Sequence, residues 1–217
     1  MAVERKTRVT RIVDRGPKLR SLFLERPPDL SFLPGQFLSF LLPAGDHRLT
    51  RPYTIASSPE DPGDLEVLFD LVPGGRGSRA LFDLAVGDVI DFTGPWGTFT
   101  LDRSPEQETA FIAHATGIAA IRPLVRRGAA AGTAPLHVLH GDARTIYEPE
   151  LRALPRVSFT RVPADALVSE VTARWITGDS VRSRQFYVCG IGAIVPTLRD
   201  LLRGAGYERR AVHYEKW

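Results

Sequence analysis

An arginine, an aromatic ring and a hydroxyl alternate in one short segment of the chain, residues 51–58 (Arg-Pro-Tyr-Thr-Ile-Ala-Ser-Ser). In a β-strand this alternation places Arg51 and Tyr53 on one face and Thr54 on the other. Because proline lacks an N–H, Pro52 restricts the segment to an edge strand or to the start of a strand. Such a strand presents a cation for a phosphate, a ring for stacking and a hydroxyl for a ring nitrogen. An ordinary amphipathic strand has the same alternation.

A second segment that could bind an anion is glycine-rich. Residues 74–79 are Gly-Gly-Arg-Gly-Ser-Arg, and they precede a helix-like run at residues 80–84. Backbone N–H groups at a helix start attract phosphate oxygens, and glycine allows the ligand to approach closely. Ser78 can serve there as the helix cap or as a donor to a phosphate. With Gly75 and Gly77 it forms a candidate phosphate site, for which a plain turn before a capped helix is the alternative.

Two strand ends in the C-terminal half carry a similar signal. Residues 113–117 (Ala-His-Ala-Thr-Gly) follow one predicted strand and lead into a predicted helix, and Cys189 and Gly190 end another strand. In open α/β sheets, ligands bind at the carboxyl ends of strands beside helix N-termini. A loop that feeds a helix start offers free N–H donors to an anion, which makes Thr116 and Gly117 candidates for a second site.

The elements that must position these residues fall into two groups. Up to residue 100, short β-type runs are separated by turn signals, which is typical of a small antiparallel barrel. The predicted strands are residues 9–13, 19–24, 37–42, 53–56, 65–71 and 89–92.

From residue 108 onward, strands and helices alternate, which predicts a parallel sheet wound with helices. The predicted strands are residues 110–113, 136–139, 157–159, 186–189 and 211–214, and the predicted helices are residues 118–131, 148–154, 167–175 and 195–204. The change of pattern places a boundary near residues 101–107. We therefore expect two domains, residues 1–102 and residues 107–217.

Composition excludes several classes of protein. The 217 residues are 43% apolar and 24% charged, with a net charge of +3, as in an ordinary globular protein. No apolar run of ~18 residues and no leader-like start occurs, so we expect a cytoplasmic protein without a membrane span. The single cysteine, Cys189, excludes an internal disulfide and a four-cysteine iron–sulfur site, and no metal site is predicted. No basic run with interleaved aromatics indicates nucleic acid binding.

Taken in order, the motifs resemble those of the ferredoxin–NADP reductase family over nearly the whole chain. They are residues 51–54 (Arg-Pro-Tyr-Thr), 75–78 (Gly-Arg-Gly-Ser), 87–88 (Gly-Asp), 94–99 (Gly-Pro-Trp-Gly-Thr-Phe), 116–118 (Thr-Gly-Ile), 189–190 (Cys-Gly) and 215–217 (Glu-Lys-Trp). Each motif is weak by itself, and the ordered set is specific.

The resemblance implies an FAD-binding barrel followed by an α/β domain that binds NADPH or NADH. A hydride would pass from the nicotinamide to flavin N5, and electrons would then leave for a separate acceptor protein such as ferredoxin, flavodoxin or an oxygenase component. Scattered surface arginines would steer an acidic acceptor of this kind, unless they are merely solvated. The residues implied to bind FAD are Arg51 and Ser78 at the pyrophosphate, Gly75 and Gly77 in the turn beside it, Pro52 and Tyr53 against the ring, and Thr54 near N5.

The resemblance also assigns residues to the nicotinamide nucleotide. Its pyrophosphate is assigned to Thr116 and Gly117, its adenosine 2′-phosphate to Arg144, and its nicotinamide ring to Cys189, Gly190 and Glu215, while Trp217 stacks on the flavin. Thr54, Cys189, Glu215 and Trp217 are thus the expected catalytic residues. A buried strand-end thiol, a solvated tail carboxylate and a core tryptophan are the plain alternatives for the last three.

Three positions depart from the family pattern, because His114 and Ala115 occupy places where glycine is usual and Ala120 occupies one where proline is usual. A Cβ at residue 115 limits the approach of a pyrophosphate and strains any backbone that needs a positive φ. Two alternatives to the reductase therefore remain open. One is a flavin reductase that releases reduced flavin, and the other is a flavin-carrying electron-transfer module with an impaired nicotinamide site.

Overall fold

The computed structural model describes residues 3–44, 47–101 and 105–217. The chain divides into two compact units, Met1–Thr100 and Leu101–Trp217. Residue 102, at which the sequence predicts the end of the first domain, lies outside the described residues. No described helix has the length and apolar character needed to cross a membrane.

The N-terminal unit is a six-stranded antiparallel sheet with the strand order β4-β3-β6-β1-β2-β5. Its elements are β1 (Glu4–Gly16), β2 (Leu19–Leu24), β3 (Phe37–Ala44), β4 (His47–Thr54), β5 (Leu65–Asp70), α1 (Arg76–Phe82) and β6 (Val89–Trp96). The two ends of this order meet just after β4, where Ile55 bridges to Val67 of β5 and the Ala56 N–H donates to the Glu66 carbonyl at 2.7 Å. The predicted antiparallel barrel is therefore confirmed.

Burial explains why these strands form. Alternate residues of the strands point into one core that includes Leu22, Leu38, Phe40, Ile55 and Phe92, and each of these side chains is inaccessible to solvent. At ~25 cal/mol for each Å² of apolar surface, burial of such side chains dominates the stability of the barrel. The strand β4 lies at one end of the strand order, as the proline at residue 52 predicts.

The C-terminal unit is a five-stranded sheet in the order β11-β10-β7-β8-β9, and all of its strand pairs are parallel. Its strands are β7 (Thr109–His114), β8 (Leu136–Gly141), β9 (Val157–Val162), β10 (Gln185–Gly190) and β11 (Val212–Lys216), and its helices are α2 (Ile118–Ala131), α3 (Glu148–Arg152), α4 (Leu167–Trp175) and α5 (Ile194–Gly204). This is the predicted α/β architecture. The carboxyl ends of β7, β8 and β10 lie side by side, where such sheets bind ligands.

The glycine-rich segment differs from its prediction in one respect. The helix α1 begins at Arg76 rather than near residue 80, because the Arg79 N–H donates to the carbonyl of Gly75, the N-cap residue, at 3.0 Å. Gly77 and Ser78 thus lie in the first turn of the helix instead of in a loop. The helix-cap role suggested for Ser78 is wrong, since no side chain caps this helix.

Other boundaries also differ from their predictions. The strand predicted at residues 53–56 is β4, which begins at His47 and ends at Thr54. The helix predicted at residues 148–154 ends at Arg152.

Candidate functional site

In the N-terminal unit, β4 and the start of α1 enclose a surface pocket of about 360 Å³. Its walls contain Arg51 and Tyr53 from β4, Val72, and residues 74–78. Two segments that are more than twenty residues apart in the sequence are thus brought together. They supply a guanidinium, a phenol ring and the first turn of a helix, and these groups suit the phosphates and the ring of a nucleotide.

Gly77 allows the two segments to come together. A Cβ placed on Gly77 would lie 2.7 Å from Cγ of Arg51, closer than carbon atoms pack. The stem of Arg51 therefore lies directly over the first turn of α1, and its Nη1 donates to the Thr50 carbonyl at 2.8 Å. Because residue 77 has no side chain, the guanidinium of Arg51 can lie beside the start of α1.

Ser78 closes the turn that precedes α1. Its Oγ accepts from the Val72 N–H at 3.0 Å and donates to the Gly75 carbonyl at 3.2 Å. A Cβ on Gly75 would lie 2.8 Å from this hydroxyl, so glycine at residue 75 leaves room for it. The hydroxyl of Ser78 therefore shapes the pocket wall from within.

Tyr53 is held by two aromatic neighbours. Its ring centroid lies 5.7 Å from that of Phe40 and 5.6 Å from that of Phe69. Burial raises the pKa of Tyr53 to about 12, so the phenol stays protonated and able to donate at neutral pH. The next residue, Thr54, is buried, while Pro52 is exposed.

A neighbouring pocket of about 410 Å³ shares Val72 and residues 74–76 with the first. Arg76 lines both pockets, and Arg79 lines the second. Sequence reasoning missed Arg76 as a binding residue, although it lies between the two predicted glycines. Arg79 is already paired with Asp83 at 2.9 Å, which leaves Arg76 as the more suitable cation for a second phosphate.

In the C-terminal unit, β7 and β10 are neighbouring strands, and two glycines without a Cβ let the backbone pack closely where these strands end. A Cβ on Gly117 would clash with the carbonyl oxygen of Cys189, and one on Gly190 would lie 2.6 Å from Cβ of His114. The structure therefore brings Gly117, Cys189 and Gly190 together and adds His114 to them. A side chain at either glycine position would force these two backbone segments apart.

The C-terminal strand adds two of the predicted residues. Glu215 of β11 pairs in register with Cys189 of β10. Beyond the strand, the Trp217 N–H donates to the Gly190 carbonyl at 3.0 Å, and the Gly192 N–H donates to the Trp217 carbonyl at 3.3 Å. These bonds fix the backbone of Trp217 against the loop that follows β10.

Two ionisable groups in this cluster have pKa values raised by burial. Burial, with the nearby Glu215 carboxylate, raises the pKa of the Cys189 thiol well above its ordinary value, so no thiolate is present at neutral pH. Burial also raises the pKa of Glu215 to about 7. Within the described ranges, Oε2 of Glu215 has no hydrogen-bond partner. Glu215 can therefore take up or release a proton near neutral pH.

Arg144 follows β8 and is engaged by a neighbouring carboxylate. Its Nη2 lies 2.6 Å from Oδ2 of Asp142, and its Nε lies 3.0 Å from Oδ1. Burial alone would raise the pKa of Asp142, but the hydrogen bonds from Arg144 lower it below its ordinary value. A 2′-phosphate would have to compete with Asp142 for this guanidinium.

The remaining predicted residue, Thr116, lies in the single turn Ala115–Gly117 that connects β7 to α2. Ala115 has a φ of 51°, so the strain expected for a non-glycine residue at this position is present. Sequence reasoning missed His140, a buried residue at the end of β8 whose Nε2 lies 3.0 Å from the Ala115 carbonyl oxygen. A histidine within an apolar strand was its only signal.

The architecture of the two units and these nucleotide-compatible sites define a two-domain oxidoreductase, and comparisons with known proteins agree. The model of the oxidoreductase FAD-binding domain matches residues 7–101. Ferredoxin–NADP reductase B of Sorangium cellulosum is 30% identical over 93% of this chain and 93% of its own length. The propane 2-monooxygenase reductase component of Rhodococcus jostii is 29% identical over 98% of this chain, which spans 63% of that protein.

Among solved structures, a ferredoxin NADP+ reductase from Neisseria gonorrhoeae with bound FAD and NADP has the same fold. Its TM-score is 0.80 at 18% identity, over 100% of this chain and 99% of that one. The chain belongs to the ferredoxin–NADP reductase family of FAD-dependent oxidoreductases.

The raised pKa of Glu215 predicts how stability depends on pH. Between the ordinary value of 4.5 and about 7 the folded state binds more protons than the unfolded state, so this group makes stability fall as pH rises. We expect Glu215→Gln to make the fall in the free energy of unfolding between these pH values smaller by roughly 2 kcal/mol. This figure is lower than the pKa shift alone implies, because Glu215 is partly exposed to solvent. Thermal unfolding at pH 5 and pH 8 measures this effect. An equal difference in melting temperature for the wild type and the variant would contradict it.

Proposed function

We propose that the N-terminal unit binds FAD, that the C-terminal unit binds NADPH or NADH, and that electrons pass to a separate acceptor protein. The observation that carries this proposal is the packing of Arg51 on Gly77, which places a guanidinium beside the first turn of α1 in a nucleotide-sized pocket. The glycine contacts at the ends of β7 and β10 support a second nucleotide site.

The residues of the pocket fit FAD. Arg51 pairs with the pyrophosphate, with Arg76 and the N–H groups of the α1 start as further donors. Gly75 and Gly77 keep the wall flat, and Ser78 holds the turn in place. Tyr53 packs against the isoalloxazine ring with Pro52 beside it, and Thr54 is the assigned hydrogen-bond partner near flavin N5.

At the second site, the turn Ala115–Gly117 with Thr116 receives the pyrophosphate of the nicotinamide nucleotide. When both cofactors are bound, a hydride from the nicotinamide reduces the flavin, which can then release electrons one at a time. Cys189 and Gly190 would lie beside the nicotinamide ring. The protonated thiol supplies a neutral surface, and Glu215 exchanges a proton near neutral pH. Trp217 is the residue that would stack on the flavin ring when FAD is bound and the nicotinamide is absent.

Ferredoxin, flavodoxin or an oxygenase component would accept the electrons. The relative from Sorangium is named as a ferredoxin–NADP reductase, and the relative from Rhodococcus as the reductase component of a monooxygenase. With one cysteine, these 217 residues cannot form a four-cysteine iron–sulfur cluster. The net charge of +3 favours an acidic acceptor protein.

The preference between the two nicotinamide nucleotides depends on Arg144. Because Asp142 already binds this guanidinium, the charge offered to a 2′-phosphate is small. The attraction that remains still favours a 2′-phosphate, so we assign NADPH as the preferred nucleotide by a small margin, with NADH as a usable substrate.

The FAD site can be tested with two arginines from the same strand. We expect Arg51→Ala to fold normally but to be isolated with little FAD, because the charged partner of the pyrophosphate is lost. Arg48→Ala is the matched control, since Arg48 lies on β4 but pairs with Glu4 and Asp91 instead of lining the pocket. Gly77→Ala should also lower FAD content, since its Cβ displaces Arg51. The ratio of flavin absorbance to protein absorbance measures all three, and a fully yellow Arg51→Ala protein would refute the assignment.

The role of Trp217 can be tested through nucleotide preference. Removal of Trp217 should favour nicotinamide stacking and raise the relative use of the poorer nucleotide, whereas Trp217→Phe keeps a ring and should change the preference less. Steady-state kcat/KM values with NADPH and NADH, with ferricyanide as acceptor, measure the preference. An unchanged ratio after truncation would remove Trp217 from the ring-stacking role.

A further inference from the structure

Ala115 adopts a backbone conformation that is costly for its residue type. It is the first residue of the turn after β7, and its φ of 51° lies in the left-handed region. Glycine adopts this conformation freely, whereas a Cβ makes it unfavourable. Such a conformation persists only when the surrounding structure holds it in place.

Two hydrogen bonds hold the carbonyl of Ala115. The backbone N–H of Ile118 donates to it from the start of α2, and Nε2 of His140 lies 3.0 Å from the same oxygen. Both lone pairs of this carbonyl are therefore occupied. His140 lies on β8 directly beside Ala113 of β7, so the sheet itself fixes the distance between the imidazole and the turn.

The direction of the second bond follows from burial. The side chain of His140 has no exposed surface, and burial lowers its pKa, so the imidazole is neutral at neutral pH. A neutral imidazole carries one N–H, and a carbonyl can only accept, so the proton resides on Nε2. Nδ1 is then a buried acceptor, and it has no partner among the residues that the structure describes.

This arrangement is expensive as a purely structural device. A buried, unpaired nitrogen destabilises the fold, and an apolar side chain of similar size at residue 140 would avoid that cost. The ring is packed edge-on to Phe159, with centroids 6.4 Å apart, so an apolar residue would have suitable neighbours. The hydrogen bond that His140 makes is to the turn assigned to the nucleotide.

We propose that His140 is a positioning residue for the nicotinamide nucleotide, which acts by holding the Ala115 carbonyl and thereby the left-handed turn that receives the pyrophosphate. The inference rests on the proposed function in that the turn is taken as the nucleotide site. It adds His140 to the residues assigned to that site. The hydrogen bond from His140 supports the left-handed conformation that a glycine at residue 115 would adopt without support.

The test combines His140 and Ala115 variants in the FAD-loaded protein. His140→Leu removes the donor, His140→Gln keeps an N–H that can reach the carbonyl, and Ala115→Gly removes the need for support. Binding of NADP+ and NAD+ to the oxidised protein is measured by titration calorimetry, and KM and kcat for NADPH and NADH are measured with ferricyanide. His137→Leu is the matched control, since His137 lies on the same strand but pairs with Glu108.

We expect His140→Leu to weaken nucleotide binding and to raise KM by about tenfold, with kcat at saturation little changed, because a favoured conformation of the turn is lost. His140→Gln should restore most of the affinity. In the Ala115→Gly background, His140→Leu should cost less than about threefold, because glycine adopts the turn without support. His137→Leu should bind as the wild type does.

An equal loss of affinity from His140→Leu in the wild-type and Ala115→Gly backgrounds would overturn the proposal, because His140 would then not act through residue 115. If His140→Leu does not retain FAD, the same comparison is made with His140→Phe, which also lacks the donor and keeps a ring beside Phe159, and an equal loss in both backgrounds has the same meaning. A wild-type protein that binds neither nucleotide would refute the proposed function itself. If the wild type binds a nucleotide and the His140 variants bind it equally well, only the role of His140 is refuted.

Discussion

The absence of a Cβ at three glycines is the constraint on which both candidate sites depend. At Gly77 it admits the stem of Arg51 over the first turn of α1. At Gly117 it lets the turn after β7 pack on the end of β10, and at Gly190 it lets the ends of these two strands approach closely. None of these three residues has a positive φ, so each is required for space rather than for conformation. A single methyl group at any of these glycines would displace the residue packed against it. The apolar core of the surrounding strands would not change.

The two sites differ in their electrostatics in a way that suits their assigned ligands. The pocket in the N-terminal unit is lined by arginines beside a helix start, which is favourable for phosphates. The cluster at β10 and β11 contains a protonated thiol and a carboxyl with a pKa of about 7. The protonated thiol adds no fixed charge to this cluster, while Glu215 can exchange a proton near neutral pH.

Much of the fold could be predicted from the sequence because its signals are local. Hydrophobic periodicity predicts α2 and α4 at their observed bounds, and the change from short strands to alternating strands and helices predicts the two architectures. The start of α1 was missed because two glycines and an arginine carry little helical signal, yet a backbone bond to Gly75 places them in the helix. Ordered motifs predicted Arg51, Gly117 and Cys189 as site residues. His140 was missed because its importance depends on the φ of Ala115 and on the register between β7 and β8, which no local pattern encodes.

The most direct test of the account is the response of the flavin to nicotinamide nucleotides. The protein would be purified anaerobically and its visible spectrum recorded, and NADPH and NADH would then be added separately. We expect a yellow protein whose flavin band bleaches rapidly, with NADPH the faster reductant. A protein that retains FAD but stays yellow with both nucleotides would contradict the account, because the turn at Ala115 would then not serve a nicotinamide nucleotide.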